Sequence, residues 1–82
     1  MTDEQKYLIA ITEPLVEGLV TVTRITDDRG VLLTLHIEKP EEIGKIIGKG
    51  GETARAIRRL IRQYGMAHEM HIAMKIDEPE RK

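Results

Sequence analysis

The sequence predicts an α+β fold in which three helices pack on one face of a three-stranded sheet. Three segments repeat their apolar residues at helical spacing, and the others alternate apolar with polar residues or are rich in β-branched ones. The order along the chain is α-β-β-α-α-β. Elements with one apolar face each bury those faces by forming two layers, and 82 residues are expected to form one domain.

A helix is predicted at the start of the chain. Thr2 and Gln5 have the spacing of a capping box, in which each side chain satisfies a free backbone donor of the first turn. Apolar residues at helical spacing extend the predicted helix over residues 3–15, with Pro14 in its last turn.

A β-hairpin follows. Residues 19–26 are rich in Val, Thr and Ile and predict the first strand, and the turn at 27–30, Asp-Asp-Arg-Gly, favours a chain reversal. Residues 31–37 predict the second strand. Its expected inner face consists of Val31, Leu33, Leu35 and Ile37.

Two further helices are separated by a glycine-rich loop. Pro40 favours the start of a short helix over residues 40–47, which the loop Gly48-Lys49-Gly50-Gly51 interrupts. A longer amphipathic helix is predicted over residues 52–64, and Gly65 is expected to end it.

The C-terminal segment predicts the third strand, over residues 70–76, before a charged tail at 77–82 that is expected to fray. His68 and His71 are three residues apart and should point to opposite faces of an extended strand. His36 and His71 both lie on polar strand faces, and the predicted fold allows them to approach each other. Two such ligands without a third do not predict a metal site. We expect no metal and no cofactor.

Positive charge is concentrated in one part of the chain. The net charge of the protein is −1, yet residues 43–64 carry +5 and the other sixty residues −6. The basic residues of that segment are Lys45, Lys49, Arg55, Arg58, Arg59 and Arg62. A solvated helix face is the ordinary explanation, but four arginines with one acid on the helix favour an anionic ligand. Lys45 and Arg55 are expected to touch phosphate, and Arg62 to be merely solvated.

The glycine loop has the chemistry of a phosphate-binding site. Its backbone N–H groups precede a helix N-terminus, where the helix dipole favours an anion. A nucleotide-binding P-loop is excluded, because the spacing is one residue short and Gly50 stands where a Ser or Thr is required. The dinucleotide fingerprint also fails, since the loop follows a helix.

Composition excludes other classes. Without cysteine there are no disulfides, thiolate metal sites or thiol nucleophiles. With Tyr7 and Tyr64 as the only aromatic residues, base stacking on exposed rings is not expected. No residue constellation suggests catalysis. The chain has no apolar run of membrane-spanning length and a polar N-terminus, so we expect no membrane association and a cytoplasmic location.

The residues around the loop carry a resemblance. The run from Ile46 to Ala54, Ile-Ile-Gly-Lys-Gly-Gly-Glu-Thr-Ala, followed by Ile57, resembles the signature of KH domains, and the element order is that of the type II arrangement. Ala54 stands where most KH domains have a larger aliphatic residue. The whole chain is similar to the small stand-alone bacterial RNA-binding KH proteins of the KhpA kind.

The resemblance implies a non-enzymatic single-stranded RNA-binding protein whose loop clamps the backbone of about four nucleotides. The expected RNA-binding residues are Ile43, Lys45, Ile47, Gly48, Lys49, Gly50, Gly51, Arg55, Arg58 and Arg59. For Ile43 and Ile47, a place in the core is an equal alternative. Residues 31–37 are the strand expected to face the loop across the groove.

The resemblance also implies self-association, pairing with a larger KH protein, and a part in post-transcriptional regulation linked to cell elongation and division. Two alternatives stay open. One is a groove that serves a protein partner instead, and the other is a groove that accepts single-stranded DNA.

Overall fold

The computed structural model describes residues 1–78, which contain three α-helices and three strands in the predicted order. The elements are α1 (Asp3–Thr12), β1 (Val20–Asp27), β2 (Gly30–Ile37), α2 (Ile43–Ile47), α3 (Glu52–Ala67) and β3 (Ile72–Asp77). Most of the predicted tail lies outside the described residues, and its first residue, Asp77, is the last of β3. No helix among residues 1–78 combines the length and the apolar character that a membrane span requires.

The sheet has the order β1-β2-β3. The central strand β2 pairs antiparallel with β1 and parallel with β3. Both edges of β2 are therefore used. The outer edge of β1 is partly covered by α1, because Gln5 Nε2 donates a hydrogen bond to Val22 O at 2.8 Å and Arg24 Nε pairs with Glu4 Oε2 at 2.9 Å. The outer edge of β3 pairs with no strand in this part of the chain.

The three helices cover one face of the sheet, as predicted. Leu33 and Leu35 on β2 are completely buried, which confirms the alternation of that strand. The other buried apolar residues are Leu8, Val20, Val22, Ile37, Ile43, Ile46, Ala54, Ile57, Ile61, Ile72 and Met74. Removing this apolar surface from water is the main stabilising contribution in a domain of this kind.

The first helix is shorter than predicted. α1 ends at Thr12, and Glu13–Leu15 continue as a tighter 3₁₀ turn. Pro14 has no N–H to donate to the carbonyl four residues earlier, so the α-helical pattern cannot continue through it. At the last residue of α1, the Thr12 hydroxyl donates to Leu8 O at 2.7 Å, inside the protein.

Gly65 does not end α3, which continues to Ala67. The residue is buried, and a Cβ atom there would lie 2.5 Å from Met70 O. The positive φ that follows the helix belongs to Glu69, at 55°. Gly65 is thus needed for the close approach of the chain after the helix, whereas the prediction assigned it a conformational role.

The histidines are also placed differently from the prediction. β3 begins at Ile72, so His68 and His71 lie in the connection before it. His36 pairs with Asp77 at one end of the β2–β3 ladder, while His71 lies at the other end, so the two histidines do not meet. His36 Nδ1 is 2.9 Å from Asp77 Oδ2, and its Nε2 is 3.1 Å from Thr23 Oγ1.

Candidate nucleic-acid interface

The loop between α2 and α3 depends on glycine backbone geometry. Gly48, Gly50 and Gly51 have φ angles of 75°, 62° and 77°, which side-chain-bearing residues rarely adopt. The Gly51 N–H donates to Gly48 O at 3.1 Å and closes the turn. Gly51 is also the cap residue of α3, and no side chain among the described residues caps this end. The Glu52 N–H donates to Lys49 O within the loop, and the N–H groups that follow at the start of this 16-residue helix are the ones that an anion would contact.

The loop glycines differ in how closely they are packed. A Cβ atom on Gly48 would lie 2.3 Å from Thr53 Oγ1 and 2.9 Å from Thr53 N. By contrast, nothing lies within 4 Å of the corresponding position on Gly50. Gly48 thus lets α2 and α3 approach each other, while Lys49 and Gly50 form an exposed tip.

Arg55 stabilises this loop by a hydrogen bond to its backbone. Its Nη1 donates to Gly50 O at 2.8 Å. A guanidinium group has five N–H donors, so the others stay available to a phosphate. Arg55 therefore holds the loop in shape and adds positive charge beside the start of α3.

Lys45 and Ile43 are less free to meet a ligand than the sequence suggested, Lys45 because it is paired and Ile43 because it is buried. Exposed Lys45 Nζ lies 2.9 Å from Glu42 Oε1, which also accepts the Glu17 N–H at 2.8 Å. The hydrogen bond that Lys45 donates to Glu42 raises the pKa of Lys45 and lowers the pKa of Glu42. Ile43 is 2% exposed and lies in the core, so it offers no surface to a ligand.

A groove runs between α3 and the free edge of β3. Next to the loop it contains a cavity of about 320 Å³. Its lining residues are Ile47, Gly51, Ala54, Arg55, Arg58, Lys75, Ile76 and Glu78. The sequence left open whether Ile43 and Ile47 belong to the core or to the groove, and Ile47 is the one that lines the groove.

The strand that faces the loop across the groove is β3, and the prediction of residues 31–37 for this role is wrong. β2 pairs with a strand on each side, and Leu33 and Leu35 on its inner face are completely buried, so it has neither a free edge nor an open apolar face there. Sequence reasoning missed Lys75 and Ile76 as groove residues. The available signal was the short connection after α3, which returns the chain directly alongside that helix.

The arginines of α3 form one exposed face. Arg55, Arg58, Arg59 and Arg62 together line a shallow cavity of about 240 Å³. None of the four lies within ion-pair distance of a carboxylate in residues 1–78. Cations that repel one another without compensating acids are unfavourable on a helix, so an anionic ligand would stabilise this face.

Two helices joined by a Gly-x-x-Gly loop, packed with a third helix on a three-stranded sheet, define a KH domain. Comparison with known families agrees with the geometry. The family model for the KhpA/KhpB KH domain matches residues 5–76, and the chain belongs to that family.

Individual relatives are similar over most of their length. The RNA-binding protein KhpA of Treponema pallidum is 35% identical over 78 residues, which cover 93% of this chain and 96% of the relative. The protein of the same name from Listeria monocytogenes is 32% identical over 76 residues, or 90% and 99% of the two chains. That of Mycobacterium bovis is 38% identical over 64 residues, or 71% and 79%. These matches confirm the resemblance inferred from the loop and its flanking helices.

Proposed function

We propose that this protein binds single-stranded RNA without catalysing a reaction, using the Gly48–Gly51 loop and, on α3, the side chains of Arg55, Arg58 and Arg59. The exposed start of α3, beside arginines that have no carboxylate partner among residues 1–78, is the observation that carries the proposal. The RNA-binding relatives support it.

The parts of the site suit different parts of a nucleotide. Backbone N–H groups at the start of α3, together with Lys49 and Arg58, would bind phosphate oxygens. Ile47 and Ile76 offer aliphatic contact to the bases, and the free edge of β3 offers backbone groups for hydrogen bonds to base edges. The groove then holds about four nucleotides without an aromatic platform.

The double variant Lys49→Asp/Gly50→Asp tests this proposal. It changes the charge beside the proposed phosphate by −3, so we expect RNA binding to be lost. Folding should be retained, because nothing lies within 4 Å of a Cβ atom on Gly50. Asp also tolerates the left-handed conformation of Gly50 better than most residues, at about 1 kcal/mol. An RNA titration at constant salt and a thermal melt measure the two effects.

The matched control is Lys6→Glu/Ala10→Glu, which places the same charge change on exposed positions of α1. We expect the control to bind RNA nearly as well as the parent. A loop variant that melts normally and binds like the parent would show that the loop is not the phosphate site. Equal losses in both variants would mean that net charge alone governs binding.

The dependence of binding affinity on salt concentration and on the sugar, ribose or deoxyribose, tests the same interface. Each phosphate contact contributes about −0.7 to the slope of log affinity against log salt for a single strand. Four nucleotides should therefore give a slope no steeper than about −3, whereas a flat response would exclude phosphate contacts. Single-stranded DNA of matched sequence measures the contribution of the 2′-hydroxyl, and equal affinity would make DNA an alternative ligand.

We further propose that the protein acts as a pair, either with a second copy or with a larger KH protein. A groove for about four nucleotides should bind weakly, and two linked grooves would gain affinity by avidity. Leu60 on α3 is 40% exposed, which leaves apolar surface for such a contact. Light scattering measures self-association, and a strict monomer at high concentration would exclude the homodimer.

The proposed cellular role is post-transcriptional regulation in the cytoplasm, connected with cell elongation and division. Support for this role is the family resemblance. Crosslinking RNA to the protein in cells and sequencing the attached fragments tests it. Recovery of few specific transcripts, none of them connected with elongation or division, would contradict the role while leaving RNA binding itself intact.

A further inference from the structure

The groove continues beyond the cavity next to the loop. A second and larger cavity, of about 410 Å³, lies farther along between α3 and β3. Its lining residues are Arg58, Arg62, Met66, Met70, His71, Ile72, Ala73 and Met74. Arg58 lines both cavities, so the two are adjacent sections of one groove.

The second cavity has a cationic rim and an apolar floor. Arg58, Arg62 and His71 supply the basic groups, and no Asp or Glu of residues 1–78 lines the cavity. Met74 is 7% exposed and Met66 is 71% exposed, so the apolar surface extends from the core to the rim. Methionine side chains are flexible and polarisable and adapt to ligands of different shape.

The close contact at Gly65 builds this end of the groove. Because Gly65 has no side chain, Met70 O approaches the helix and the Met70 N–H donates to Gly65 O at 2.7 Å. β3 therefore starts close to the end of α3. The stretch from Glu52 to Met66 spans about 21 Å of helix axis, and the loop-end cavity occupies only its first part.

We propose that the second cavity is an additional nucleotide subsite, which extends the RNA footprint beyond the four nucleotides at the loop. This inference rests on the proposed RNA binding. A strand that leaves the loop-end cavity past Arg58 meets Arg62 next, one helical turn farther along the same exposed face. Arg62 thus binds a phosphate, and the methionine floor accepts a base.

The charge of the cavity favours RNA over a protein partner. Fully buried cores of protein interfaces are depleted of charged residues, whereas Arg58 and Arg62 here have no carboxylate partner within residues 1–78. An RNA strand supplies the missing anions and an apolar base face together. Continuity with the loop-end cavity places the two parts in reach of one strand.

The test compares Arg62→Gln with the parent on random-sequence RNA pools of four and of eight nucleotides. A longer strand gains affinity merely by offering several positions to a four-nucleotide site, so the variant's effect at each length is the informative quantity. We expect Arg62→Gln to weaken octanucleotide binding about fivefold, as for the loss of one hydrogen bond. It should also reduce the salt slope by about 0.7. Tetranucleotide binding should stay unchanged.

Lys6→Gln on α1 is the control that removes one positive charge elsewhere, and it should leave both affinities near those of the parent. Equal weakening at both lengths, or none at either, would overturn the second subsite while tetranucleotide binding still upheld the proposed function. A change in self-association with unchanged octanucleotide affinity would identify the cavity as a protein contact. Absence of any RNA binding by the parent would refute the proposed function itself.

Discussion

Replacing Gly48 by alanine should destabilise the protein more than any other single methyl group added to the α2–loop–α3 segment. Gly48 has φ 75° and ψ 174°, a region that is essentially restricted to glycine. The added Cβ would also lie 2.3 Å from Thr53 Oγ1, 2.7 Å from Thr53 Cβ and 2.9 Å from Thr53 N. Backbone strain and overpacking therefore act together.

The magnitude follows from the two contributions. Holding alanine in this backbone region costs about 1–3 kcal/mol, and overpacking costs about 1–3 kcal/mol more. The total is about 2–6 kcal/mol, compared with a whole-protein stability of about 4–12 kcal/mol at this chain length. Even the lower bound should reduce the melting temperature by at least about 8 °C.

Two neighbouring glycines provide graded controls in urea denaturation. Gly50 has a φ of 62° but nothing within 4 Å of the added methyl group, so Gly50→Ala should cost about 1 kcal/mol of strain alone. Gly44 lies within α2 and is equally open, so Gly44→Ala should stabilise by about 0.5–1 kcal/mol. From highest to lowest, the predicted order of unfolding free energies is Gly44→Ala, parent, Gly50→Ala, Gly48→Ala.

Equal unfolding free energies for Gly48→Ala and Gly50→Ala, at an unchanged slope against urea, would refute the contact with Thr53. A Gly48→Ala variant as stable as the parent would refute the backbone assignment as well.

Two further predictions concern other parts of the fold. Gly65→Ala should lower the unfolding free energy by about 1–3 kcal/mol through the clash with Met70 O; a urea midpoint equal to that of the parent would contradict the close packing after α3. Glu42 should stabilise the protein at neutral pH, because the hydrogen bonds from Lys45 and the Glu17 N–H hold its pKa below the ordinary value. That contribution is present above the ordinary pKa of a glutamate and is lost as the pH falls through the lowered pKa of Glu42. The difference in unfolding free energy between the parent and Glu42→Gln should therefore shrink between about pH 7 and pH 3. A difference independent of pH would contradict this role of Glu42.

Local patterns predicted the elements well because they are properties of short segments. The alternation at Leu33 and Leu35 identified the buried face of β2, and the capping-box spacing of Thr2 and Gln5 identified the start of α1, where both of its hydrogen bonds form. The glycine loop was predicted from residue chemistry, since glycine tolerates positive φ and leaves its N–H groups exposed.

Features that depend on strand order were not predictable in the same way. Which strand faces the loop is decided by the pairing of β2 with β3, a contact between distant segments that periodicity does not encode. Lys75 and Ile76 were missed for this reason. The ion pair between Lys45 and Glu42 has the i,i+3 spacing of a local helix pair, but the hydrogen bond that Glu42 accepts from the backbone N–H of Glu17, far away in sequence, was not predictable.

Gly65 illustrates a different difficulty. Glycine serves both for positive φ and for close approach, and a sequence does not distinguish the two uses. Its position just after a predicted helix favoured the first, whereas the contact with Met70 shows the second. Glu69 takes the positive φ instead, although glycine is the usual residue for such a conformation.

The separation of charge between residues 43–64 and the rest of the chain has a kinetic consequence. Residues 43–64 carry +5 although the net charge of the protein is only −1, and four of their cations lie together on the arginine face of α3. The field of a polyanion attracts this face and turns it forward before contact. Encounters should therefore be pre-oriented at low ionic strength and lose that orientation as the Debye length shrinks below the size of the protein.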